Sequence, residues 1–166
     1  MAIRFSLTNT LMPRERTMSK LIVNTLVAAP LDAVFAVYTD LAKAPERIPE
    51  ITALELLTEG PVGKGTRWRE TRLMFKREAV EEMEMTSFDA PHSYTVEANS
   101  NGMRYETLFE FVADGDGTRV TWTFTGTALT FGAKIMAPIM RLFFNGIMRK
   151  CMQQDLDALR GVCETG

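Results

Sequence analysis

Glu70 and Arg72 are the residues of this 166-residue chain whose types and spacing best suit chemistry. They alternate with Arg69 and Thr71 in a segment that has the composition of a β-strand. Because successive side chains of a strand point to opposite faces, placing Trp68 inward also places Glu70 and Arg72 inward. An enclosed carboxylate beside a guanidinium is suited to acid–base catalysis or to holding the polar end of a ligand. A structural ion pair is the alternative interpretation.

This strand can be placed in two registers. Burying Glu70 and Arg72 is costly unless they pair inside a partly wet cavity. In the opposite register, Leu73 and Phe75 point inward and both charged side chains face water. Period-two alternation permits only these two choices. The first predicts a cavity with one polar wall, and the second predicts an ordinary apolar core.

Other catalytic and metal-binding chemistries find little support in the sequence. His92 is the only histidine and follows Pro91 in a turn, so we expect it to be exposed; His-based metal clusters and a Ser-His-Asp triad are disfavoured. The two cysteines, Cys151 and Cys163, lack metal-ligand spacing and are too few for a disulfide framework. We therefore predict reduced thiols in a cytoplasmic protein, with no metal and no cofactor.

The charge distribution argues against nucleic acid as a partner. The chain has 19 basic and 21 acidic residues, and no block of like charge stands out. The largely apolar stretch 129–148 is interrupted by Lys134, Pro138, Arg141 and Asn145, which favours a core helix over a membrane span. No stable insertion into a membrane is predicted, and the oligomeric state is left open.

Length and composition indicate one domain. Residues 1–19 lack the continuous apolar segment of a secretory signal and are predicted to form a flexible N-terminal extension, which leaves open whether residues 1–17 belong to the native protein. Residues 20–164 are predicted to form the single folded domain.

Strand-like segments dominate the middle of the chain. Turn signals separate them, and Asn101-Gly102 and Asp116-Gly117 are the strongest because these residue types tolerate positive φ. Consecutive hairpins of this kind make an antiparallel meander. The predicted strands are 21–28, 51–58, 66–75, 77–88, 93–100, 103–113 and 118–130.

Helices are predicted on either side of this meander. Pro30 opens a first short helix, and Asp40 caps a second that ends near residues 45–49, where two prolines interrupt the hydrogen-bond ladder. After Phe131-Gly132, one long amphipathic helix continues almost to the C-terminus. Its apolar face must lie on something large, and the sheet is the only candidate.

Alternation in the strands and three- and four-residue spacing in the helix select the side chains that face the interior. Among these, Tyr94 and Tyr105 could present hydroxyl groups to a cavity, and the methionines could either adapt to varied ligands or simply fill gaps. The predicted ligand-binding set is Trp68, Glu70, Arg72, Met83, Met85, Tyr94, Val96, Tyr105, Phe109, Trp122, Phe124, Met136, Met140, Phe143, Phe144 and Ile147.

The order of these elements, with several local motifs, resembles the START-like superfamily, also called SRPBCC or the birch-pollen-allergen type. Within it, the bacterial polyketide cyclase/dehydrase and lipid-transport-like subgroup is most similar. The resemblance covers about residues 20–164. Its motifs are Ala29-Pro30-Leu31-Asp32-Ala33-Val34-Phe35, Asp40 with Pro45, Gly63-Lys64-Gly65-Thr66, Phe88-Asp89-Ala90-Pro91, Gly117-Thr118-Arg119-Val120-Thr121-Trp122 and Asp155-Leu156-Asp157-Ala158-Leu159.

The resemblance implies an α+β helix-grip fold: a curved antiparallel sheet of about seven strands around a long C-terminal helix, with two short helices between strands 1 and 2. It also implies an apolar cavity between sheet and helix, but no universal catalytic motif. The first hypothesis is therefore binding or transport of a small hydrophobic ligand, such as a lipid, polyketide or isoprenoid. The alternative is a polyketide cyclase or dehydratase in which Glu70 or a tyrosine moves protons.

Overall fold

The computed structural model describes residues 17–74 and 76–165, with side chains described for 20–74, 76–135 and 145–165. The expected α+β architecture is confirmed. The strands are β1 Thr17–Val27, β2 Ile51–Leu56, β3 Arg67–Met74, β4 Arg77–Asp89, β5 Ser93–Ser100, β6 Met103–Asp114 and β7 Gly117–Ala128. The helices are α1 Leu31–Thr39, a 3₁₀ turn Leu41–Lys43, α2 Ala44–Arg47 and α3 Phe131–Thr165. The predicted extension 1–19 falls mostly outside the described residues, although β1 begins at Thr17.

The seven strands form one antiparallel sheet in the order β1-β7-β6-β5-β4-β3-β2. Helix α3 contacts strands near both edges of this sheet, β1 at one edge and β3 next to the other. Arg149 Nη1 donates to Ile22 O of β1 at 2.9 Å, whereas Asp155 bonds Arg72 of β3. In a flat sheet β1 and β3 would lie about 24 Å apart, five strand spacings, yet a helix is only about 10–12 Å wide. The sheet must therefore curve around α3, and this curvature leaves space between the two layers.

Two hairpin turns show how local chemistry sets the strand register. Asn101 and Gly102 both adopt positive φ, 50° and 73°, as the sequence predicted for this turn. At the other hairpin the prediction was misplaced by one residue. Positive φ occurs at Gly115, 61°, rather than at Asp116-Gly117, and Gly117 already pairs with Asp114. Gly115 is the first of the two loop residues, where a type II′ turn requires glycine.

The second short helix begins later than the sequence predicted, because a 3₁₀ turn at Leu41–Lys43 separates Asp40 from α2. Pro45 lies in the first turn of α2 rather than at its end, and the helix continues to Arg47. The first turn of a helix has no intrahelical use for its N–H groups, so a proline there removes no hydrogen bond. Asp40 ends α1 without a side-chain capping bond and instead accepts a hydrogen bond from Arg47 at 2.9 Å.

The strand faces follow the predicted alternation. Trp68 and Glu70 are buried and Arg72 is largely buried, whereas Leu73 is 46% exposed. The register that places Glu70 and Arg72 inside is therefore the one observed. Phe75, the other residue of the rejected register, lies outside the described residues.

The dense part of the core lies under α1. The rings of Phe35 and Tyr38 each pack edge-on against Phe111, with centroids 5.2 Å apart. Val27 and Val34 are fully buried beside them. This packing fixes α1 against one end of the sheet.

Ile147, which the helical spacing predicted to face the interior, does not lie on the buried face of α3. Met152, Leu156 and Leu159 are buried, whereas Ile147 is 42% exposed. At 100° per residue, Ile147 lies about 100° from Met148 around the helix axis. Ile147 therefore sits at the edge of the apolar stripe rather than in its centre.

Candidate functional site

A partly open space lies between the concave face of the sheet and α3. It consists of an outer lobe of about 240 Å³, a side lobe of about 130 Å³ and an inner lobe of about 150 Å³. Neighbouring lobes share lining residues, and Met83 and Thr107 line all three. Ligand pockets commonly measure roughly 300–1,000 Å³, so the lobes reach that size only when joined.

An ion-pair triad made of Glu70, Arg72 and Asp155 lines both the outer and the inner lobe. Arg72 Nε donates to Glu70 Oε1 at 3.0 Å, and Arg72 Nη1 donates to Asp155 Oδ2 at 2.7 Å. The side chains of Asp155 and Glu70 are buried, and that of Arg72 is mostly buried. The triad thus joins β3 to α3 at the boundary between the two lobes.

Local structure explains how the triad is assembled. Glu70 and Arg72 lie two residues apart on β3, so both point to the concave face. Asp155 follows Met152 by three residues and precedes Leu159 by four, which places it in the middle of the buried stripe of α3. Helix α3 and strand β3 therefore both place charged side chains at the boundary between the outer and inner lobes.

Burial shifts the pKa values within the triad. For Asp155, burial raises the pKa to about 6; Arg72 opposes that rise, whereas Glu50 and Glu70 add to it. For Arg72, burial alone would lower the pKa, but Asp155 and Glu70 together raise it above its ordinary value. The attraction of Arg72 is divided between two acids, so it does not fully offset the cost of burying Asp155.

Asp155 is the lining residue of the candidate site that the sequence reasoning missed. An acid in the centre of an apolar helical stripe was the available signal, because the surrounding positions are Met148, Met152, Leu156 and Leu159. Such a residue is buried only when it has a partner. The partner, Arg72, lies 83 residues away along the chain, and periodicity alone does not connect them.

The structure brings most of the predicted ligand-binding residues to the lobes. Met83 lines all three lobes, whereas fully buried Met85 and exposed Ile147 are not among the lining residues. Met85 is instead fully buried in the packed hydrophobic core. Side chains of Met136, Met140, Phe143 and Phe144 are outside the described residues. The remaining lining members are Trp68, Glu70, Arg72, Tyr94, Val96, Tyr105, Phe109, Trp122 and Phe124.

Aromatic rings form one wall of the space. Phe109 contacts both Tyr94 and Trp122, with centroids 4.9 Å apart in each case. Tyr105 stacks on Phe124 at 5.6 Å. These contacts across β5, β6 and β7 build a rigid apolar surface, whose offset geometry adds about 0.5–1.5 kcal/mol per pair beyond burial. Burial also raises the pKa of both tyrosines, so their hydroxyl groups stay protonated.

Four buried polar atoms in the described part of the chain have no hydrogen-bond partner: Tyr38 OH, Trp68 Nε1, Trp122 Nε1 and Asp155 Oδ1. All four residues line the inner lobe. A buried polar atom without a partner costs about 1–3 kcal/mol, so its persistence calls for a functional or solvent explanation. The residues that line the inner lobe therefore carry unused hydrogen-bonding capacity of both kinds, donors on the indoles and an acceptor on Asp155.

Metal-binding clusters and membrane-spanning helices are both absent from the described part of the chain. No group of three or more His, Cys, Asp or Glu side chains in ranges 17–74 and 76–165 is arranged to hold a metal ion. Within the same ranges, no helix is both long and apolar enough to cross a bilayer.

This fold and site define a class of protein, the helix-grip proteins with an internal cavity. More narrowly, the chain belongs to the family described as polyketide cyclase / dehydrase and lipid transport, whose model matches residues 18–164. The resemblance seen in the sequence is thereby confirmed. None of the curated protein sequences matches this chain significantly.

Several solved structures share the fold. The protein TTHA0849 from Thermus thermophilus has a TM-score of 0.70 and 22% identity, covering 87% of this chain and 97% of that one. The Zhui aromatase/cyclase from Streptomyces sp. R1128 has a TM-score of 0.73 and 17% identity, covering 88% and 93%. The protein Ara h 8.0201 has a TM-score of 0.70 and 15% identity, covering 89% and 99%. At these identities the likeness establishes the fold alone.

Proposed function

We propose that this protein binds a small hydrophobic molecule in the joined lobes and carries it without chemical change. The observation that supports this most is the mixed lining: an extended aromatic and Met surface ends at one buried polar cluster, the Glu70–Arg72–Asp155 triad. Such a lining matches an amphiphile with a large apolar body and one polar end. The family includes lipid-transport proteins, which is consistent with the proposal.

The apolar body would occupy the outer and side lobes. Met83, Phe124 and Met148 line both of these lobes, and none of the three carries a strong hydrogen-bonding group. Flexible thioether side chains at two of these positions would adjust to ligands of different shape. The polar end would then lie against the triad, where the outer and inner lobes meet.

A second function, that of a cyclase or dehydratase, is favoured by one specific observation. Burial raises the pKa of Asp155 to about 6, which is close to the value at which a carboxyl group can both accept and release a proton near neutrality. Asp155, rather than Glu70, would then be the proton-transfer group. The family also contains polyketide cyclases, and the neighbouring Zhui protein is an aromatase/cyclase.

Binding in the lobes is tested with an uncharged fluorescent probe, N-phenyl-1-naphthylamine, titrated into the wild-type protein and two variants. Met83→Phe places a bulkier, stiffer side chain where all three lobes meet, and we expect about tenfold weaker binding. Val80→Phe is the matched control on the same strand, because Val80 is 58% exposed and faces away from the lobes.

The result is interpretable only for folded variants, so thermal unfolding is measured for both. Equal probe affinity in folded Met83→Phe and Val80→Phe would contradict binding in the lobes. Absence of saturable binding by the wild-type protein would contradict the proposed function itself.

Carrier and enzyme are separated by mass spectrometry of the protein purified from its own host. A small molecule that co-purifies is identified, returned to the apo protein and followed over time. Recovery of the same molecule favours the carrier. Conversion that is lost in Asp155→Asn but retained in Asp157→Asn, an exposed acid on the same helix, favours the enzyme.

A further inference from the structure

The charged groups of the outer lobe are strongly unbalanced. Four acids line it, Glu50, Glu70, Glu81 and Asp155, against one cation, Arg72, among the described lining residues. Glu70 and Asp155 are buried, and Glu50 and Glu81 are half-buried. In a partly desolvated space, unbalanced charge repels a ligand of the same sign more strongly than it would in water.

Two of these acids face each other directly. Glu70 on β3 and Glu81 on β4 are cross-strand partners, and both line the outer lobe. Like charges at opposed positions destabilise a sheet. Arg72 relieves the repulsion at Glu70, but Glu81 forms no ion pair with any of the described residues. The pair therefore creates a negative potential that a bound cation would neutralise.

The guanidinium group of Arg72 already takes part in two ion pairs within the protein. Arg72 donates to Glu70 on one side and to Asp155 on the other, so its charge is shared by two carboxylates. An anionic ligand would have to displace one of these bonds and then lie among the remaining acids. The lobe is therefore poorly suited to a fatty acid or another carboxylate.

Asp155 provides the second, independent observation. The residue is 2% exposed, its Oδ2 bonds Arg72, and its Oδ1 has no partner. A buried carboxylate oxygen is stabilised by an N–H donor, most strongly by a charged one. Trp122 and Phe124 also line the outer lobe, and aromatic faces attract cations.

Building on the proposed function, we infer that the preferred ligand is a hydrophobic amine, bound as its ammonium form. The ammonium donates to Asp155 Oδ1 and lies within the negative field of Glu70 and Glu81, and the apolar body occupies the lobe lined by Met83 and Phe124. The ligand class is thus a cationic amphiphile rather than an acidic lipid.

The test compares three ligands that share one skeleton: 4-phenylbutylamine, 4-phenylbutanol and 4-phenylbutanoate. Binding to the wild-type protein is measured by calorimetry at neutral pH. We expect the amine to bind about tenfold more tightly than the alcohol. One charge-assisted hydrogen bond to the ammonium accounts for a ratio of dissociation constants of about this size. The butanoate is expected to bind more weakly than the alcohol because of the excess of acids.

Variants then show which residue causes the preference for the amine. Asp155→Asn should reduce amine affinity about tenfold and change alcohol affinity little, whereas Asp157→Asn, on the exposed face of the same helix, should change neither. If Asp155→Asn does not fold, Glu81→Gln serves instead and should weaken the amine selectively. Equal binding of amine and alcohol would overturn the inference and leave the proposed function standing. Binding of none of the three ligands would overturn both.

Discussion

Arg72 on β3 and Asp155 on α3 are joined by a hydrogen bond of 2.7 Å between Nη1 and Oδ2, beside a partly open and largely apolar space. This contact connects the sheet to the helix at the boundary between two lobes. It also explains why an arginine and an acid occupy positions that alternation and helical spacing otherwise reserve for apolar side chains.

Arg72→Met should destabilise the protein by about 3–5 kcal/mol, because it leaves two buried acids without their cation. Arg69→Met, on the opposite face of the same strand, is the matched control. Arg69 pairs with Glu55 and Glu82, but all three are exposed, so the expected loss is at most about 1 kcal/mol. Urea unfolding of both variants measures the difference, and equal losses would mean that the triad is not a buried ion-pair network.

The buried carboxyl group of Asp155 should make stability fall as pH rises. Its pKa is raised by burial to about 6 in the folded protein, so the folded state holds this proton more tightly than the unfolded chain does. Between about pH 4 and pH 6 the wild-type protein therefore loses stability that Asp155→Asn does not lose. The difference in unfolding free energy between them should shift by about 3 kcal/mol over this interval.

Unfolding of both proteins in denaturant at pH 4, 5, 6 and 7 measures that shift. A constant difference would show that Asp155 titrates alike in folded and unfolded protein. If the wild-type protein instead gains stability as pH rises, the attraction of Arg72 outweighs the effect of burial and lowers the pKa of Asp155.

Tyr38→Phe should leave the unfolding free energy unchanged or raise it by up to about 1 kcal/mol, because the buried hydroxyl has no partner. Thr118→Val is the contrast, since the Thr118 hydroxyl is fully buried and donates to Ala29 O at 2.9 Å. That variant should lose about 1–2 kcal/mol. Thermal or chemical unfolding distinguishes the two, and a comparable loss in Tyr38→Phe would mean that its hydroxyl is hydrogen-bonded.

Gly102→Ala should cost about 1–2 kcal/mol because Gly102 has φ of 73° and a Cβ there would lie 2.6 Å from Thr130 Oγ1. Gly63→Ala provides the control, because that position has no positive φ and a Cβ added there would meet no atom within 4 Å. We expect it to change stability by less than about 0.5 kcal/mol. Equal stability of both variants would contradict the turn geometry at residues 101–102.

Strand alternation was the strongest guide that the sequence offered. It placed Trp68, Glu70 and Arg72 on one face, because period two admits only two registers and a one-residue shift would have exposed Trp68. The hairpin at Asn101-Gly102 was equally predictable, since few other residues adopt positive φ at two successive positions.

The helix was predicted less accurately because an apolar stripe does not define its own centre. Ile147 and Met148 are both apolar, and only the direction in which α3 crosses the sheet decides that Met148 lines the lobes. Asp155 escaped the prediction for a related reason. Its burial depends on Arg72, a long-range partner that no local pattern identifies.

Indole N–H resonances test the central claim, occupation of the lobes by a small molecule, most directly. The chain has two tryptophans, Trp68 and Trp122; both line the inner lobe, and both have unpartnered Nε1 atoms. In ¹H–¹⁵N correlation spectra titrated with 4-phenylbutylamine, we predict that the indole signal of Trp122, which lines both the outer and the inner lobe, shifts and saturates with the calorimetric Kd. Saturable binding by calorimetry with both indole signals unmoved would place the ligand elsewhere and contradict the account.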